Sequence, residues 1–415
     1  VRVKVPPADV SALREWVVNH LEQPRFAHAS WGVLIASLDS GVELFATNEA
    51  KLFVPASNTK LFTGALALDL LGPEFRARTS FYATTLPDRK GRLRGNLILY
   101  GRGDPTFAAR FHEGGIGRAL APLADALIRT GLKRVDGALI ADETYFRGPA
   151  LGAGWDWDDL EFAYAAPVSA LSVNENVVAI MACPGPAAGR PARLVFDPPC
   201  RLLSLRNGVT STEAGDRDGL TVRRALGSSL VEASGWVPLN RTSITETVSV
   251  PRPAEWLGDL LADELKRRAV AIRRGVCHVS APFGESVRTD PARLWELASV
   301  ASPPLTDLLP LMLKPSQNLH AQLWLLQCGV AWELNNPTGG PFSTTERAGL
   351  AAMTNFLSRV GVSAREVRFE EGTGLSRRNL VTPRAVVALL RYMANHPAAG
   401  SYRDSLPVAG RDGTL

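Results

Sequence analysis

The organisation of this chain is decided by one stretch, Val54-Pro55-Ala56-Ser57-Asn58-Thr59-Lys60-Leu61-Phe62. Polar residues after a Pro-Ala pair, followed by a mostly apolar run, are typical of a loop that enters a buried helix. Residues three apart share one face of a helix, so the pattern predicts that the Ser57 hydroxyl and the Lys60 amine meet across the first turn. Ser-x-x-Lys occurs nowhere else in the chain.

Ser57 and Lys60 together offer the chemistry of acyl transfer. A serine hydroxyl becomes a good nucleophile only when an adjacent base takes its proton. Lysine can act as that base where burial or a nearby cation lowers its pKa. The first N–H groups of the helix could hold a developing oxyanion. The alternative is an ordinary helix start, in which Ser57 caps the helix and Lys60 is solvated.

Composition describes a globular protein of two or three domains. The chain has 415 residues, 46% of them hydrophobic and 21% charged, and a net charge of +5. Its basic residues are scattered and do not alternate with aromatics, which argues against a nucleic-acid groove. No run approaches 18 consecutive apolar residues, so we expect at most peripheral membrane association. A start at Val1 without methionine is compatible with a processed, exported chain.

The cysteines and histidines form no pattern that binds a metal. None of the four cysteines belongs to a C-x-x-C pair, and the six histidines are dispersed. We therefore expect no metal and no cofactor. Cys183 and Cys200 bracket a Pro/Gly-rich loop and could form a disulfide in an exported protein, or both could be free, buried thiols.

Local patterns predict a helical domain interrupted by a strand-rich insertion. A helix over residues 10–21 precedes a hairpin over 31–46 and the Ser57 helix, which together suggest an antiparallel sheet covered by helices. Short strands separated by Gly, Pro and Asp follow. Helices are predicted again over residues 293–299, 305–313, 316–330, 345–360 and 383–395. We therefore expect an α/β (α+β) catalytic domain formed by residues 1–80 and 276–415, with residues 81–275 as an inserted β-rich part of one or two domains, two being preferred.

A second motif, Ser316-Gln317-Asn318, begins an apolar helix. Ser316 could shuttle a proton between the lysine and a substrate, and Asn318 could orient a peptide amide. Simple N-capping by Ser316 is the alternative. A competing pair, Ser172-x-Asn174, lies in the strand-rich part, so Ser316 is preferred. Arg102-Gly103-Asp104 is interpreted as a turn after a strand rather than an adhesion motif. The pair Glu370-Glu371 has no role that its chemistry alone assigns.

Several landmarks in order along the chain resemble one family, the low-molecular-mass class C penicillin-binding proteins. These are the D-alanyl-D-alanine carboxypeptidase/endopeptidases of bacterial cell walls, of the penicillin-binding protein 4 type. Besides the two motifs, the matching stretches are Gly101-Arg102-Gly103-Asp104-Pro105-Thr106, Ala166-Pro167-Val168-Ser169-Ala170-Leu171-Ser172-Val173-Asn174-Glu175-Asn176, Gly372-Thr373-Gly374-Leu375-Ser376-Arg377-Arg378-Asn379, Val381-Thr382-Pro383 and Leu406-Pro407-Val408-Ala409-Gly410-Arg411-Asp412-Gly413-Thr414-Leu415.

The resemblance implies a transpeptidase/β-lactamase-like catalytic domain split by two inserted domains. It implies Ser57 as the acylated nucleophile, Lys60 as its base, Ser316 as a catalytic residue and Asn318 as a substrate-binding residue. The backbone N–H of Ser57 would supply half of the oxyanion hole. Peptidoglycan peptides would be the substrates, β-lactams would be covalent inhibitors, and the protein would be exported to the periplasm or another extracytoplasmic space.

The sequence departs from the family pattern at its third motif, because no Lys-Thr-Gly or Lys-Ser-Gly occurs among the 415 residues. The block 406–415 matches the family segment that shortly precedes this motif, so Arg411-Asp412-Gly413-Thr414 is not its substitute. Either the motif follows Leu415, or the chain is a relative that has lost it. Gln317, Glu371 and Thr373 also replace residues that are usual in the family. A wall-binding or assembly protein that has lost its chemistry is therefore the alternative function, and a β-lactamase or esterase is the nearer rival.

Overall fold

Helices make up most of the two ends of the chain. The structure is a computed structural model that describes residues 7–281, 290–337 and 343–414, so Val1 and Leu415 lie outside the described residues. The α-helices of these ranges are α1 (Pro7–Leu21), α2 (Thr59–Leu71), α3 (Ile116–Ile128), α4 (Pro253–Arg267), α5 (Leu305–Leu313), α6 (Asn318–Asn335), α7 (Thr345–Val360), α8 (Pro383–Ala394) and α9 (Ala399–Ser405).

Strands occupy mainly the middle of the chain. They are β1 (Val33–Ala36), β2 (Glu43–Thr47), β3 (Arg78–Ala83), β4 (Arg92–Leu93), β5 (Leu97–Tyr100), β6 (Arg134–Val135), β7 (Leu139–Asp142), β8 (Val177–Cys183), β9 (Arg193–Asp197), β10 (Ser204–Thr212), β11 (Gly219–Arg223), β12 (Leu230–Pro238), β13 (Ile244–Ser249), β14 (Ala271–Ile272), β15 (Val276–Val279), β16 (Trp295–Ala301), β17 (Val367–Arg368) and β18 (Leu380–Val381).

Helix α2 lies at the centre of the helical part and is apolar on almost every side. Its Phe62 and Leu66 join one core with Leu309 of α5, Trp324 of α6 and Phe356 of α7. A helix that is apolar all round has to be enclosed by other elements. Burial of a side chain such as Phe62 contributes about 2 kcal/mol. This packing fixes α2 as a rigid support for the residues at its N-terminus.

The predicted hairpin precedes α2. Strands β1 and β2 pair antiparallel, with Val33 opposite Thr47. In the described part of the chain this pair is a sheet of its own, and β17–β18 is a second antiparallel pair. A bridge between Phe53 and Val381 connects the segment before Ser57 to β18. Residues more than 300 positions apart therefore meet beside the entry to α2.

The inserted part contains a five-stranded sheet with the order β15-β7-β5-β3-β16. Strand β7 pairs parallel with β5 and β15, whereas β3 pairs antiparallel with β5 and β16. Helices α3 and α4 pack on this sheet through Leu123, Leu127, Leu257 and Leu261. These two helices were not predicted, because the strand pattern dominated this region of the sequence.

The helix predicted over residues 293–299 is wrong. A short 3₁₀ turn, Pro291–Arg293, is followed by strand β16, whose Trp295 lies opposite Ala83 of β3. Leu, Glu and Ala give this segment local helix propensity, but pairing along the open edge of β3 satisfies its backbone groups as a strand. Local propensity is a weak prior that such tertiary contacts override.

A second strand-rich unit consists of two three-stranded sheets, β13-β8-β9 and β10-β12-β11. Its core includes Ala182, Val209 and Val237. Cys183 and Cys200 of this region are both free thiols, as are Cys277 and Cys328. Of the two alternatives for the first pair, the structure has the unpaired one.

The sheet pairing of β15 and β16 bears on where the inserted part ends. Strands β15 and β16 share the five-stranded sheet with β3, β5 and β7. Because a sheet belongs to one folding unit, we propose that the inserted part extends to β16 and that the second catalytic segment begins near α5.

Candidate active site

The chain enters α2 through a 3₁₀ turn, Ala56–Asn58, in which Ala56 has a φ of +47°. Ser57 is exposed on this turn, and α2 itself begins at Thr59. The left-handed region is strained for a residue with a side chain and persists only where its surroundings fix it. Ser57 therefore lies just before the helix, presented to solvent by a constrained turn.

Lys60 is the buried partner of Ser57. Its side chain is 1% exposed, and its Nζ donates to Ser57 Oγ at 3.0 Å, as the three-residue spacing predicts. A second bond runs from Nζ to the carbonyl oxygen of Thr373, at 2.8 Å. Burial lowers the pKa of Lys60 to about 8, and the negative charge of Glu371 opposes part of that shift. At pH 7 about a tenth of the molecules would therefore carry a neutral Lys60 amine.

The segment 371–374 contacts the Lys60 amine through the Thr373 carbonyl. Gln322 Oε1 accepts a hydrogen bond from the N–H of Gly372 at 2.9 Å, and Thr63 donates its hydroxyl to the Gly372 carbonyl at 2.7 Å. These contacts connect the segment to α6 and α2. The buried Glu371 carboxylate accepts the backbone N–H groups of Thr373 and Gly374. The Thr373 carbonyl that meets Lys60 is therefore held from several directions.

Gly374 lets this segment contact the turn before Ser57. Its φ is +87°, and a β-carbon at this position would lie 1.7 Å from the Ala56 carbonyl oxygen. No side chain fits at that distance, so only glycine permits the approach. Gly361 provides a matched comparison, because it has the same φ of +87° but a β-carbon there would meet no atom within 4 Å.

Gly374→Ala is expected to destabilise the protein by about 3 kcal/mol, against about 1 kcal/mol for Gly361→Ala. Both substitutions incur the strain of positive φ, but only the first adds the clash with Ala56. The difference should appear in the urea concentrations at the unfolding midpoints of the two variants. Equal destabilisation by the two substitutions would show that the close approach to Ala56 does not constrain the site.

The second motif lies after α5. Ser316 has a φ of +60°, and Asn318 is the first residue of α6. Helix α5 packs on α2, since a β-carbon on Gly64 would lie 3.0 Å from Leu309 and 3.3 Å from Met312. Asn318 donates its side-chain amide to the Tyr164 carbonyl at 2.7 Å. Among the residues that the structure describes, no hydrogen bond joins Ser316 to Ser57 or to Lys60.

The competing motifs have structural roles. Ser172 is 2% exposed and donates to the Ser169 carbonyl at 2.8 Å. Asn174 accepts from the N–H of Ala109 and donates to the Val177 carbonyl. Asp104 is 1% exposed, and its carboxylate accepts from the backbone and hydroxyl of Thr106. The Arg-Gly-Asp sequence is thus largely buried, irregular backbone after β5 and not an exposed adhesion loop.

Sequence reasoning left Glu371 unassigned and did not single out Gln322 or Thr63. An isolated carboxylate or amide gives no signal in a single sequence, because its partners come from distant segments. The four-residue segment Glu371-Gly372-Thr373-Gly374 did carry one signal. Two glycines around a small residue are typical of backbone that must approach another element closely.

Metal-binding clusters and membrane-spanning helices are both absent from the described ranges. They contain no group of three or more His, Cys, Asp or Glu side chains placed to hold a metal ion. Nor does any helix within them combine the length and apolar character needed to cross a membrane.

Comparison with known proteins identifies the family. The sequence model of the D-Ala-D-Ala carboxypeptidase 3 (S13) family matches residues 13–415. The chain belongs to this family. The match confirms the predicted likeness to penicillin-binding proteins of class C and the prediction of a serine-type D-Ala-D-Ala peptidase.

Two curated relatives agree with that assignment. The D-alanyl-D-alanine carboxypeptidase of Actinomadura sp. (strain R39) is 31% identical over 413 residues, which are 97% of this chain and 72% of that protein. The D-alanyl-D-alanine carboxypeptidase DacB of Haemophilus influenzae is 24% identical over 96% of this chain and 78% of its own length.

Solved structures confirm the fold. Penicillin-binding protein 4 (dacB) from Haemophilus influenzae superposes with a TM-score of 0.73 at 23% identity, covering 92% of this chain and 79% of that one. The same protein complexed with a β-lactam gives a TM-score of 0.68 at 21% identity, with 92% and 78% covered. The predicted penicillin-binding, transpeptidase-like fold class is therefore confirmed.

Proposed function

We propose that this S13 peptidase hydrolyses its substrates through an acyl-enzyme on Ser57, with Lys60 as the base. The observation that carries the proposal is the 3.0 Å hydrogen bond between an exposed serine hydroxyl and a buried lysine amine. An exposed hydroxyl can reach a substrate, and a buried amine can lose its proton near neutral pH. Family membership favours this function over a wall-binding protein without catalysis.

In the first half of the reaction, neutral Lys60 takes the proton of Ser57 as Oγ attacks the carbonyl carbon of the penultimate D-Ala. One N–H of the amine remains bonded to the Thr373 carbonyl, which directs the nitrogen lone pair towards Ser57. The tetrahedral intermediate then collapses, and the C–N bond breaks. The leaving amine of the terminal D-Ala receives the proton from the Lys60 ammonium.

In the second half, water hydrolyses the ester on Ser57. Lys60, neutral again, accepts a proton from the water and returns it to Ser57 Oγ when the acid product leaves. A β-lactam would form the same ester by opening of its ring, and no leaving amine would depart. Such an adduct would persist where water reacts slowly with it.

Ser316 and Asn318 would form the second wall of the cleft in this proposal. The half-buried Asn318 bonds the Tyr164 carbonyl through its amide nitrogen, and its carbonyl oxygen can accept an N–H of a bound peptide. Ser316 would pass a proton between Lys60 and the leaving amine once a substrate closes the gap between them. Catalytic hydrogen bonds are commonly completed only in the substrate complex.

The substrates would be stem peptides of peptidoglycan, and the protein would act outside the cytoplasm. The Actinomadura relative is a D-alanyl-D-alanine carboxypeptidase by name, and its sequence aligns with nearly the whole of this chain. A soluble muropeptide that ends in D-Ala-D-Ala is therefore the substrate to test first.

Release of D-Ala from such a peptide, followed against pH, tests the proposal. We expect turnover to rise about tenfold for each pH unit below about 8 and to level off above it, because Lys60 must be neutral and its pKa is about 8. A peptide ending in L-Ala-L-Ala is the control. No release from either peptide, or equal release from both, would contradict the assignment.

A further inference from the structure

Glu371 is a buried acid with an unusually complete set of partners. Its side chain is 1% exposed, yet its carboxylate meets four N–H groups. The backbone N–H groups of Thr373 and Gly374 each donate at 2.7 Å. The side-chain amide of Asn379 donates at 2.7 Å, and the indole of Trp155 donates at 3.3 Å. Together these donors replace the hydrogen bonds to water that a carboxylate loses when it is buried.

These bonds determine where the Thr373 carbonyl points. The same residue gives its N–H to Glu371 and its carbonyl to Lys60 Nζ, at 2.7 and 2.8 Å. The carboxylate thus orients the peptide units on both sides of Thr373. These bonds restrict rotation of the Thr373 carbonyl. Because that carbonyl accepts a hydrogen bond from Lys60 Nζ, it holds the amine beside Ser57.

The charge of Glu371 acts on Lys60 as well. Burial disfavours the ammonium form of Lys60, and the Glu371 carboxylate partly compensates for that cost. In the mechanism proposed above, Lys60 must hold a proton for the lifetime of the tetrahedral intermediate. A negative charge nearby lowers the energy of that ion-paired state.

We propose that Glu371 is the positioning residue for Lys60: it fixes the Thr373 carbonyl on the amine and supplies the counter-charge of the transient ammonium. This inference rests on the proposed function of Ser57 and Lys60. The sequence assigned no role to the Glu370-Glu371 pair, and under this proposal the two residues have different roles. Glu371 bonds the backbone N–H groups on both sides of the Thr373 carbonyl, whereas Glu370 pairs with the exposed Arg368 at 2.8 Å.

Two other acids near this cluster, Glu346 and Glu370, do not perturb the pKa of Lys60. Glu346 bonds Gln322 at 2.6 Å, and Gln322 in turn bonds the N–H of Gly372. Burial raises the pKa of Glu346 to about 7, and the charges of Glu371 and Glu370 add to that effect. Glu371 is the one charged side chain in the described ranges that perturbs the pKa of Lys60.

Titration of Lys60 by NMR of protein labelled with [ε-¹³C]lysine tests the proposal without any substrate. The chain has seven lysines, and the Lys60 signal is assigned by its loss in Lys60→Met. We expect Glu371→Gln to lower the Lys60 midpoint by at least about one pH unit, because the stabilising charge is gone. Glu370→Gln is the matched control and should leave the midpoint unchanged.

The sign of the shift separates a positioning residue from a merely structural one. If Glu371→Gln only loosened the segment and let water in, the Lys60 midpoint would rise towards that of an ordinary lysine. A rise, or no change, would overturn the proposal. Glu371→Asp keeps the charge, so it should keep the midpoint to within about half a unit and retain most of the acylation rate; loss of both would also overturn it.

Acylation by a fluorescent penicillin, measured against pH in the same variants, links the titration to chemistry. In Glu371→Gln the acid limb should move to lower pH with the NMR midpoint, and the plateau rate should fall at least about tenfold. If the NMR midpoint of Lys60 shifts but the acid limb of the acylation rate–pH profile does not, the proposed role of Glu371 in catalysis would be overturned. Wild-type protein that is never acylated would overturn the proposed function instead, while a lowered midpoint would still support Glu371 as the partner of Lys60.

Discussion

Ser57→Ala is expected to abolish covalent labelling by a fluorescent penicillin and to reduce D-Ala release at least about 10⁴-fold. Every covalent intermediate of the proposed reaction is bonded to Ser57 Oγ, and alanine offers no atom to form that bond. Lys60 loses one of its two hydrogen bonds in this variant but keeps the one to Thr373. The fold should therefore remain intact.

Intact mass spectrometry of the labelled protein provides the measurement, and Ser358→Ala provides the control. Ser358 is an exposed serine on α7, far from the turn that carries Ser57 in sequence and held in a regular helix. Its removal should leave the label unchanged. Equal mass shifts in Ser57→Ala and in the wild type would place the nucleophile elsewhere and refute the mechanism.

Lys60→Met is expected to lower the rate of acylation by about 10²- to 10⁴-fold, which is the range that a general base contributes. Methionine fills much of the same volume without an amine, and the Glu371 carboxylate keeps its four N–H donors, so the protein should remain folded. The label should still attach to Ser57 on long incubation. Stopped-flow labelling rates provide the measurement.

Lys60→Arg distinguishes the base from a simple cation. Arginine can keep a hydrogen bond to the Thr373 carbonyl, but its guanidinium stays protonated and cannot take the proton of Ser57. Its rate should therefore fall as far as that of Lys60→Met. Lys266→Met, which removes an exposed lysine from the last turn of α4, is the control. Recovery of activity in Lys60→Arg would show that charge, and not proton transfer, is what the site needs.

Residue spacing and the apolar pattern around Ser57 were enough to predict the Ser57–Lys60 pair. The three-residue spacing of Ser57 and Lys60 places both groups on one side of a turn, and the structure has them 3.0 Å apart. The apolar residues after Lys60 predict its burial, because the helix that carries it must be enclosed. Both features depend on neighbours within a few residues, which a single sequence records.

Other features depended on segments that meet only in three dimensions. Strand β16 was predicted as a helix, because its residues favour a helix until they pair with β3. The Ser316-Gln317-Asn318 motif also could not predict how close Ser316 lies to Ser57. In the described residues no hydrogen bond joins the two side chains. Spacing along the chain cannot specify a distance across a cleft that a substrate fills.

The sequence by itself determined the Ser57–Lys60 pair that we propose as nucleophile and base, the buried helix behind it and the family to which the chain belongs. All three are encoded in short motifs and their order. Only the tertiary structure decided what holds the base. The Thr373 carbonyl lies 313 positions from Lys60 along the chain, and the Glu371 carboxylate orients it. Folding brings such partners together through packing of α2, α6 and the 371–374 segment, and no local pattern encodes that contact.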